Sequence, residues 1–328
     1  MGGTGQNDTI TAIPGIRVGH ASLPGAPSGC TVILTGGGAT AGVDVRGGAP
    51  GTYGTDALNP LNLVSQVHGL FLTGGSAFGL SAADGLMRHL AERKIGFDTG
   101  HGFVPIIAGA VIFDLGMNGT GTYPDAALAA TACESASSDP VEEGCAGAGL
   151  GATVGQMRGF EACMKGGVGS SLIRHPSGLM VGALFVVNAF GDIVDPADGR
   201  KVAGCRVGHE RATMADPFSA MMDLVRLGGF PQGEATVVGV VATNARLNKT
   251  QLTKVAQMAH DGLARTIYPS HTQFDGDTVF ALSCGEIEQV EVSFAGALAA
   301  HAAAEAILRG VRKATSLNGV PCCADLRR

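Results

Sequence analysis

Residues 231–246 read PQGEATVVGVVATNAR, and the character of the chain changes at Thr236 within this stretch. The three residues before it, Gly233-Glu234-Ala235, are small or polar and predict a loop. The residues after it are rich in valine, and β-branched side chains pack well on a pleated surface, which predicts a strand buried on both faces. Thr236 is therefore predicted to place a hydroxyl at the first position of a core strand, directly after a loop.

A threonine in this place has two interpretations. If the peptide bond before Thr236 is cut, its hydroxyl becomes a nucleophile and its own α-amine becomes the adjacent base. Without a cut, Thr236 is simply a residue that starts a strand well, and for a single threonine this is the commoner case. Other residues must support the first interpretation.

Composition excludes several classes of protein. Of 328 residues, 45% are hydrophobic and only 15% are charged, so the chain can bury a large core. A net charge of −6 without a basic cluster argues against nucleic acid as a partner. No apolar run is long enough to span a bilayer, and the N-terminus MGGTGQNDT lacks the basic and apolar regions of a secretory signal. The eight cysteines are scattered, which favours reduced thiols and a cytoplasmic location over disulfides or a zinc site.

Hydrophobic patterning predicts strands and helices in alternating groups. Strands are predicted at 13–20, 30–34, 41–45, 68–73, 104–115, 148–156, 167–173, 180–188 and 278–282, besides the one after Thr236. Helices are predicted from 76, with Ser76 as N-cap, and at 125–138, 214–227, 248–267 and 292–313. Helices that pack on groups of strands make a layered α/β sandwich, and no linker divides it, so we expect one domain over residues 1–328.

Two glycine motifs are weak signals. Residues 147–152, GAGLGA, match G-x-G-x-x-A, but an acidic loop and not a strand precedes them, so a dinucleotide cofactor is not expected. Residues 74–78, GGSAF, resemble a nucleophile elbow but carry Phe78 where glycine is required. The nine histidines do not fall at metal-ligand spacing, so no metal is expected; we interpret His260 as structural, and His271 could line a cleft.

Three polar residues are better candidates for a site. Asp275 and Asp277 flank one glycine between a predicted helix and a predicted strand. Such a pair is usually a solvated turn, but two carboxylates pointing inward would hold a threonine α-ammonium and tune its pKa. Asn188 ends a core strand, where its amide either satisfies the turn or donates to a developing oxyanion.

Motifs along nearly the whole chain resemble one family. In order they are PGIRVGHA, GCTVIL, AGVDVRGGAPGT, LTGGSAFGLSAADGLMR, VPII followed by VIFDL, AGAGLGATVG, VVATNARL, HDGLARTI and FDGDTVFAL. This order resembles the DmpA/BapA-type self-processing hydrolases. That family includes aminopeptidases for β-peptides and D-amino-acid amides or esters, and the nylon-oligomer hydrolases.

The resemblance implies a fold, a reaction and a set of site residues. The fold would be an αββα four-layer sandwich, similar to Ntn hydrolases, in a protein that is commonly tetrameric. Cleavage of the Ala235–Thr236 bond would leave fragments 1–235 and 236–328 and make Thr236 the N-terminal nucleophile. Asn188 would stabilise the oxyanion, and Asp275 and Asp277 would support the nucleophile. The substrate would be a small amide or peptide, with no cofactor.

Three positions depart from the family pattern. Ala235 precedes the cut where Gly or Asn is usual. Gln156 stands where the nylon-hydrolase branch has a lysine, with Lys165 the nearest substitute, and Gly109 stands where the aminopeptidase branch has a glutamate for the substrate's α-ammonium. Two alternatives therefore stay open, an acyltransferase of the ornithine acetyltransferase type and an uncleaved, non-enzymatic member. The pocket could include Tyr53, Phe113 and Tyr123, which could equally be core residues.

Overall fold

The computed structural model describes residues 6–118, 121–207, 214–226 and 235–327. Within these residues the helices are α1 Ala82–Glu92, α2 Ala126–Glu134, α3 Pro217–Arg226, α4 Lys249–Thr266 and α5 Val292–Lys313. The strands are β1 Arg17–Ser22, β2 Gly29–Val45, β3 Thr52–Tyr53, β4 Val67–Thr73, β5 Phe97–Asp98, β6 Phe103–Val104, β7 Ile107–Val111, β8 Thr153–Val154, β9 Met164–Lys165, β10 Gly167–Arg174, β11 Met180–Asn188, β12 Asp192–Val194, β13 Lys201–Ala203, β14 Thr236–Ala245, β15 Ile267–Tyr268 and β16 Thr278–Ile287. Gly233 and Glu234 of the predicted loop lie outside the described residues.

Strand β2 links two halves of the main sheet. Its first part pairs antiparallel with β1 and β4, and its second part pairs antiparallel with β16. The register shifts between Leu34 and Ala39, where three consecutive glycines lie. The strand order is β10-β11-β14-β16-β2-β4-β7-β3, with β1 added beside β2. The strands predicted at 30–34 and 41–45 are thus the two ends of one interrupted strand.

The core clusters show four layers. Leu70, Leu72 and Ala110 of the first half-sheet pack in one cluster with Val238 and Phe280 of the second, so the two half-sheets face each other. The outer face of the first half-sheet is covered by α1 and α2, and the outer face of the second by α4 and α5. The order of layers is therefore αββα, as predicted.

Strand β14 lies at the centre of the second half-sheet and is buried on both faces, as its valines predict. Val237 and Val241 pack toward α4 and α5, whereas Val238 and Val240 pack between the half-sheets. Its neighbours are β11, which is antiparallel, and β16, which is parallel. The start of β14, the end of β11 and the start of β16 consequently meet at one edge of the sheet.

Several local predictions differ from the structure. The apolar segment 104–115 is not one strand, because β7 ends at Val111. Most of 148–156 is not extended: a 3₁₀ turn covers Gly147–Gly149 and only Thr153–Val154 is strand. Ser76 is the first residue of a 3₁₀ turn whose N-cap is Gly75, and α1 begins only at Ala82 with Ser81 at its N-cap position, so the N-cap prediction is wrong. Helix α4 begins as predicted, with Asn248 and Gln251 forming a capping box. No helix of the described residues is long and apolar enough to cross a membrane.

Gly109 in β7 has no room for a side chain. A Cβ there would lie 2.4 Å from the ring of Phe71 and 2.6 Å from its carbonyl oxygen. The glutamate of the aminopeptidase branch therefore cannot be accommodated at this position without moving Phe71, which is fully buried.

Substituting Gly109→Ala is expected to lower the free energy of unfolding by about 1–3 kcal/mol, the usual cost of overpacking a core. Urea denaturation measures this change. Gly37→Ala is the matched control, because nothing lies within 4 Å of a Cβ at Gly37. Equal stability of the two variants would contradict the packing described for β7.

Candidate active site

Thr236 is the first residue of β14 and is 5% exposed. Its hydroxyl donates a hydrogen bond to the carbonyl oxygen of Ala235 at 2.6 Å. The same oxygen accepts a hydrogen bond from the Gly276 N–H at 3.0 Å, and the Ala235 N–H donates to the Phe274 carbonyl at 3.0 Å. The peptide unit before Thr236 is thus buried and is held by hydrogen bonds to the loop that precedes β16.

Asp277 is 1% exposed and is held on both carboxylate oxygens. Oδ1 accepts the N–H of Val237 at 2.9 Å. Oδ2 accepts the backbone N–H of His271 at 3.0 Å and lies 2.7 Å from the His271 ring Nδ1. The carboxylate therefore ties the second residue of β14 to the loop before β16.

Asp275 is 2% exposed and binds two other segments. Oδ2 accepts the N–H of Thr272 at 2.9 Å and its hydroxyl at 2.6 Å, while Oδ1 is 3.4 Å from the N–H of Phe190. Burial and the neighbouring charge of Asp277 raise the pKa of Asp275 to about 7. The structure thus brings both predicted acids to the start of β14, pointing inward.

Neither carboxylate makes a hydrogen bond to the Thr236 hydroxyl among the contacts the structure gives that side chain. Gly276 stands between the acids and the hydroxyl: a Cβ on Gly276 would lie 2.9 Å from Thr236 Oγ1. The close approach requires glycine at this position. Of the two acids, Asp277 thus contacts the backbone next to Thr236, at Val237 N–H, and not the Thr236 hydroxyl.

The loop after β2, residues 46–49, is hydrogen-bonded to the backbone of Asp275 and Asp277. The N–H groups of Arg46 and Gly47 donate to the Asp277 carbonyl, and that of Ala49 donates to the Asp275 carbonyl, at 2.9–3.3 Å. A Cβ on Gly47 would lie 2.1 Å from the Asp275 carbonyl oxygen. The glycines of this loop are therefore explained by close backbone packing against the acid-bearing loop.

Asn188, at the end of β11, lies directly opposite Thr236. Its Oδ1 accepts the N–H of Thr153 at 2.9 Å and the Gln156 side chain at 3.2 Å, and its Nδ2 donates to the Phe113 carbonyl at 2.9 Å. An amide group carries two N–H donors, so one remains for a ligand. The structure brings Asn188 and Thr236 together, and the oxyanion role of Asn188 stays a prediction.

Gln156 and Lys165 have different positions. Gln156 contacts Asn188 directly and also donates to the Thr153 hydroxyl at 2.9 Å. Lys165 is fully buried, donates to the carbonyls of Leu150 and Ala152 at 2.8 and 2.7 Å, and has its pKa lowered to about 8 by burial. Lys165 thus holds the turn that leads to Thr153, whereas Gln156 orients the Asn188 amide.

A small cavity of about 40 Å³ adjoins Asn188 through Thr153 and Gln156. Its lining residues are Phe113, Asp114, Gly116, Met117, Gly151, Thr153, Gln156, Gly159 and Phe160. Of the three aromatic candidates, only Phe113 lines this cavity. Tyr53 packs near Phe71, with ring centroids 6.0 Å apart, and Tyr123 stacks on Phe78 at 4.4 Å.

The sequence did not single out Asp114, which the structure places in this cavity wall. One carboxylate oxygen accepts the Gly75 N–H at 2.7 Å, and the Ser28 hydroxyl also stabilises the charged carboxylate. Burial raises the pKa of Asp114. An acid that directly follows an apolar segment, as in VIFD, is the signal that could have found it.

Comparison with protein-family models gives one match over most of the chain. Residues 8–322 match peptidase family S58. An uncharacterized aminopeptidase of Mycobacterium bovis is 43% identical, over 97% of this chain and 98% of the relative. A 6-aminohexanoate-oligomer endohydrolase of Kocuria is 33% identical, over 87% of this chain and 77% of the relative.

Solved structures agree with the layer order. A β-aminopeptidase of Burkholderia superposes with a TM-score of 0.73 at 22% identity, over 100% of this chain and 94% of that one. An L-aminopeptidase D-Ala-esterase/amidase of Ochrobactrum anthropi, described as a variant of the Ntn-hydrolase fold, gives 0.71 at 21% identity with the same coverage. The fold is thus shared with these aminopeptidases, and by the match over residues 8–322 the chain belongs to peptidase family S58.

Proposed function

We propose that this protein is a self-processing hydrolase of amide bonds that uses Thr236 as its N-terminal nucleophile. The observation that carries the proposal is the contact between the Thr236 hydroxyl and the Ala235 carbonyl, 2.6 Å between the two oxygens. The carbonyl oxygen also receives the Gly276 N–H, which is the kind of donor that stabilises an oxyanion. The nucleophile and a polarised carbonyl are therefore adjacent before any ligand binds.

Self-cleavage begins with attack of Thr236 Oγ1 on the Ala235 carbonyl carbon. The new C–O bond forms, the C–N bond breaks, and the proton of the hydroxyl ends on the released nitrogen. Water then hydrolyses the ester, which leaves a carboxylate on Ala235 and a free amine and hydroxyl on Thr236. The chain is divided into fragments 1–235 and 236–328.

In turnover the free amine of Thr236 accepts the hydroxyl proton as Oγ1 attacks the substrate amide. The unused N–H of Asn188 faces the oxyanion, because Asn188 lies opposite Thr236 in the strand pair. Asp277 binds the N–H of the next residue, so its carboxylate is close to the new amine. Asp275 and Asp277 together hold and orient that amine.

The family and its relatives support a small amide or peptide as substrate. The relatives include an endohydrolase of 6-aminohexanoate oligomers and a protein named as an aminopeptidase. An acyltransferase of the ornithine acetyltransferase type and an uncleaved member remain the alternatives. We further propose a cytoplasmic homo-oligomer, a tetramer by the family resemblance; the scattered spacing of the eight cysteines supports the cytoplasmic location.

Thr236→Ala is expected to leave the chain uncut and inactive toward amides and esters, because no hydroxyl remains to attack the Ala235 carbonyl. Mass spectrometry of the purified protein detects the fragments, and a panel of α-, β- and ω-amino amides measures activity. Thr236→Ser should still cut. Thr243→Ala is the control in the same strand and should cut as the natural chain does; a cut, active Thr236→Ala variant would refute the assignment.

The raised pKa of Asp275 predicts a pH dependence of stability. The folded chain holds this proton to about pH 7, whereas an unfolded aspartate releases it near its ordinary pKa of 3.8. Folding therefore loses stability as the pH rises from about 4 to 7. Asp275→Asn removes this titration, so urea denaturation should show the variant gaining stability relative to the natural chain across that pH range; a constant difference would speak against a protonated Asp275.

Asp114 is expected to bind the ammonium of an amine-bearing substrate, because it is the acidic residue in the lining of the cavity beside Asn188. Asp114→Asn should raise KM for amino amides by about tenfold, the value of one charged hydrogen bond, and should leave N-acetylated analogues unchanged. Steady-state kinetics of both substrate sets on the cut variant tests this. An equal effect on both sets would assign Asp114 a purely structural role.

A further inference from the structure

The acid pair has an unbalanced charge in the uncut chain. Asp275 and Asp277 are both buried, and buried carboxylates require either a cation or protons. Before cleavage the nitrogen of Thr236 belongs to an amide, which carries no charge. Burial keeps the proton of Asp275 in place to about pH 7, so the positive charge is needed at the Asp277 carboxylate while the chain is intact.

His271 is in position to supply it. Within the described residues, its ring is the one group able to carry positive charge that lies within ion-pair distance of either carboxylate, at 2.7 Å from Asp277 Oδ2. Its backbone N–H binds the same oxygen at 3.0 Å. Both contacts occupy Oδ2 and leave Oδ1 to the Val237 N–H. His271 thus holds the Asp277 carboxylate in the orientation in which Oδ1 accepts the Val237 N–H of β14.

The other titratable and charged groups near His271 do not supply the positive charge beside the acid pair. On α4, the His260 ring packs edge-on against His271 with centroids 4.8 Å apart, and burial lowers the pKa of His260 to about 4. From the end of β2, Asp44 lies 3.6 Å from His260 and is paired with Arg46 at 2.8 Å. His260 is therefore neutral at neutral pH, and the charge of Arg46 is directed to Asp44.

We propose that His271 is a positioning residue that acts as counter-ion to the Asp275–Asp277 pair before self-cleavage, and that the Thr236 amine replaces it afterwards. The proposal rests on the cleavage proposed above. The acyl shift turns an amide nitrogen into an amine that binds a proton beside the pair, and the Ala235 carboxylate made when water hydrolyses the ester is repelled by the pair. His271 consequently matters more for the cut than for later turnover.

His271→Asn is the test variant. His271 has a backbone φ of +57°, a region that asparagine tolerates, and asparagine can donate to Asp277 but cannot carry charge. Self-cleavage is followed by mass spectrometry after cell-free translation, and turnover is measured per cut chain. Cleavage should slow by about tenfold to a hundredfold, the range for weakening a charged hydrogen bond, with turnover per cut chain changing less than about threefold.

The split between cleavage and turnover separates this role from a structural one. The loss in His271→Asn should fall on cleavage and leave turnover per cut chain nearly unchanged, whereas loss of a merely structural residue would lower both. His101→Asn, an exposed histidine outside the site, should behave as the natural chain does.

An unchanged cleavage rate in His271→Asn, or an equal loss in cleavage and in turnover, would overturn the counter-ion role. Neither result bears on the nucleophilic role of Thr236, which the Thr236 variants test separately. If His271→Asn fails to fold, His271→Gln takes its place as a second neutral side chain able to donate to Asp277, and the same two results decide.

Discussion

The burial of two carboxylates beside the start of β14 is the constraint on which the rest of the site depends. Each carboxylate oxygen of Asp275 and Asp277 accepts hydrogen bonds from the described chain, mostly from backbone N–H groups of β14, of the loop before β16 and of the turn after β11. Removing such groups from water without partners would cost several kcal/mol, on the order of the whole stability of a domain. The pair therefore fixes the relative positions of three segments that are far apart in sequence.

Sheet topology decides which segments these are. Because β14 and β16 are parallel and β11 is antiparallel to β14, the hydroxyl of Thr236, the amide of Asn188 and the acid-bearing loop reach one edge of the sheet. A parallel pair requires a long crossover, and α4 provides it between β14 and β16. The helix covers the outer face of the sheet while it returns the chain to the correct edge.

The sequence predicted the elements with strong periodicity and the residues with unusual chemistry. The valine-rich β14, the helices α4 and α5 and the inward direction of Asp275 and Asp277 all follow from local pattern or family likeness. Asp114 and the contact between His271 and Asp277 did not emerge, although His271 was expected to be able to line a cleft, because these features depend on a cavity formed by several segments or on the path of the loop before β16. The strand predicted at 148–156 failed for a related reason: its glycines serve close packing, as at Gly149, where a Cβ would lie 2.3 Å from the Val168 nitrogen.

Gln156 shows how the site can differ from the nylon-hydrolase pattern without losing its geometry. A lysine brings a charge that must be balanced in a buried place, whereas the Gln156 amide only has to donate to Asn188 and Thr153. The one buried lysine in this region, Lys165, satisfies its ammonium on two carbonyls and not on the acids. The side chains that contact the Asn188 amide directly are therefore the neutral Gln156 and Thr153, and the Lys165 ammonium is occupied by backbone carbonyls. Neutral contacts of this kind fix the Asn188 amide through its oxygen, so that an N–H donor remains available to an oxyanion.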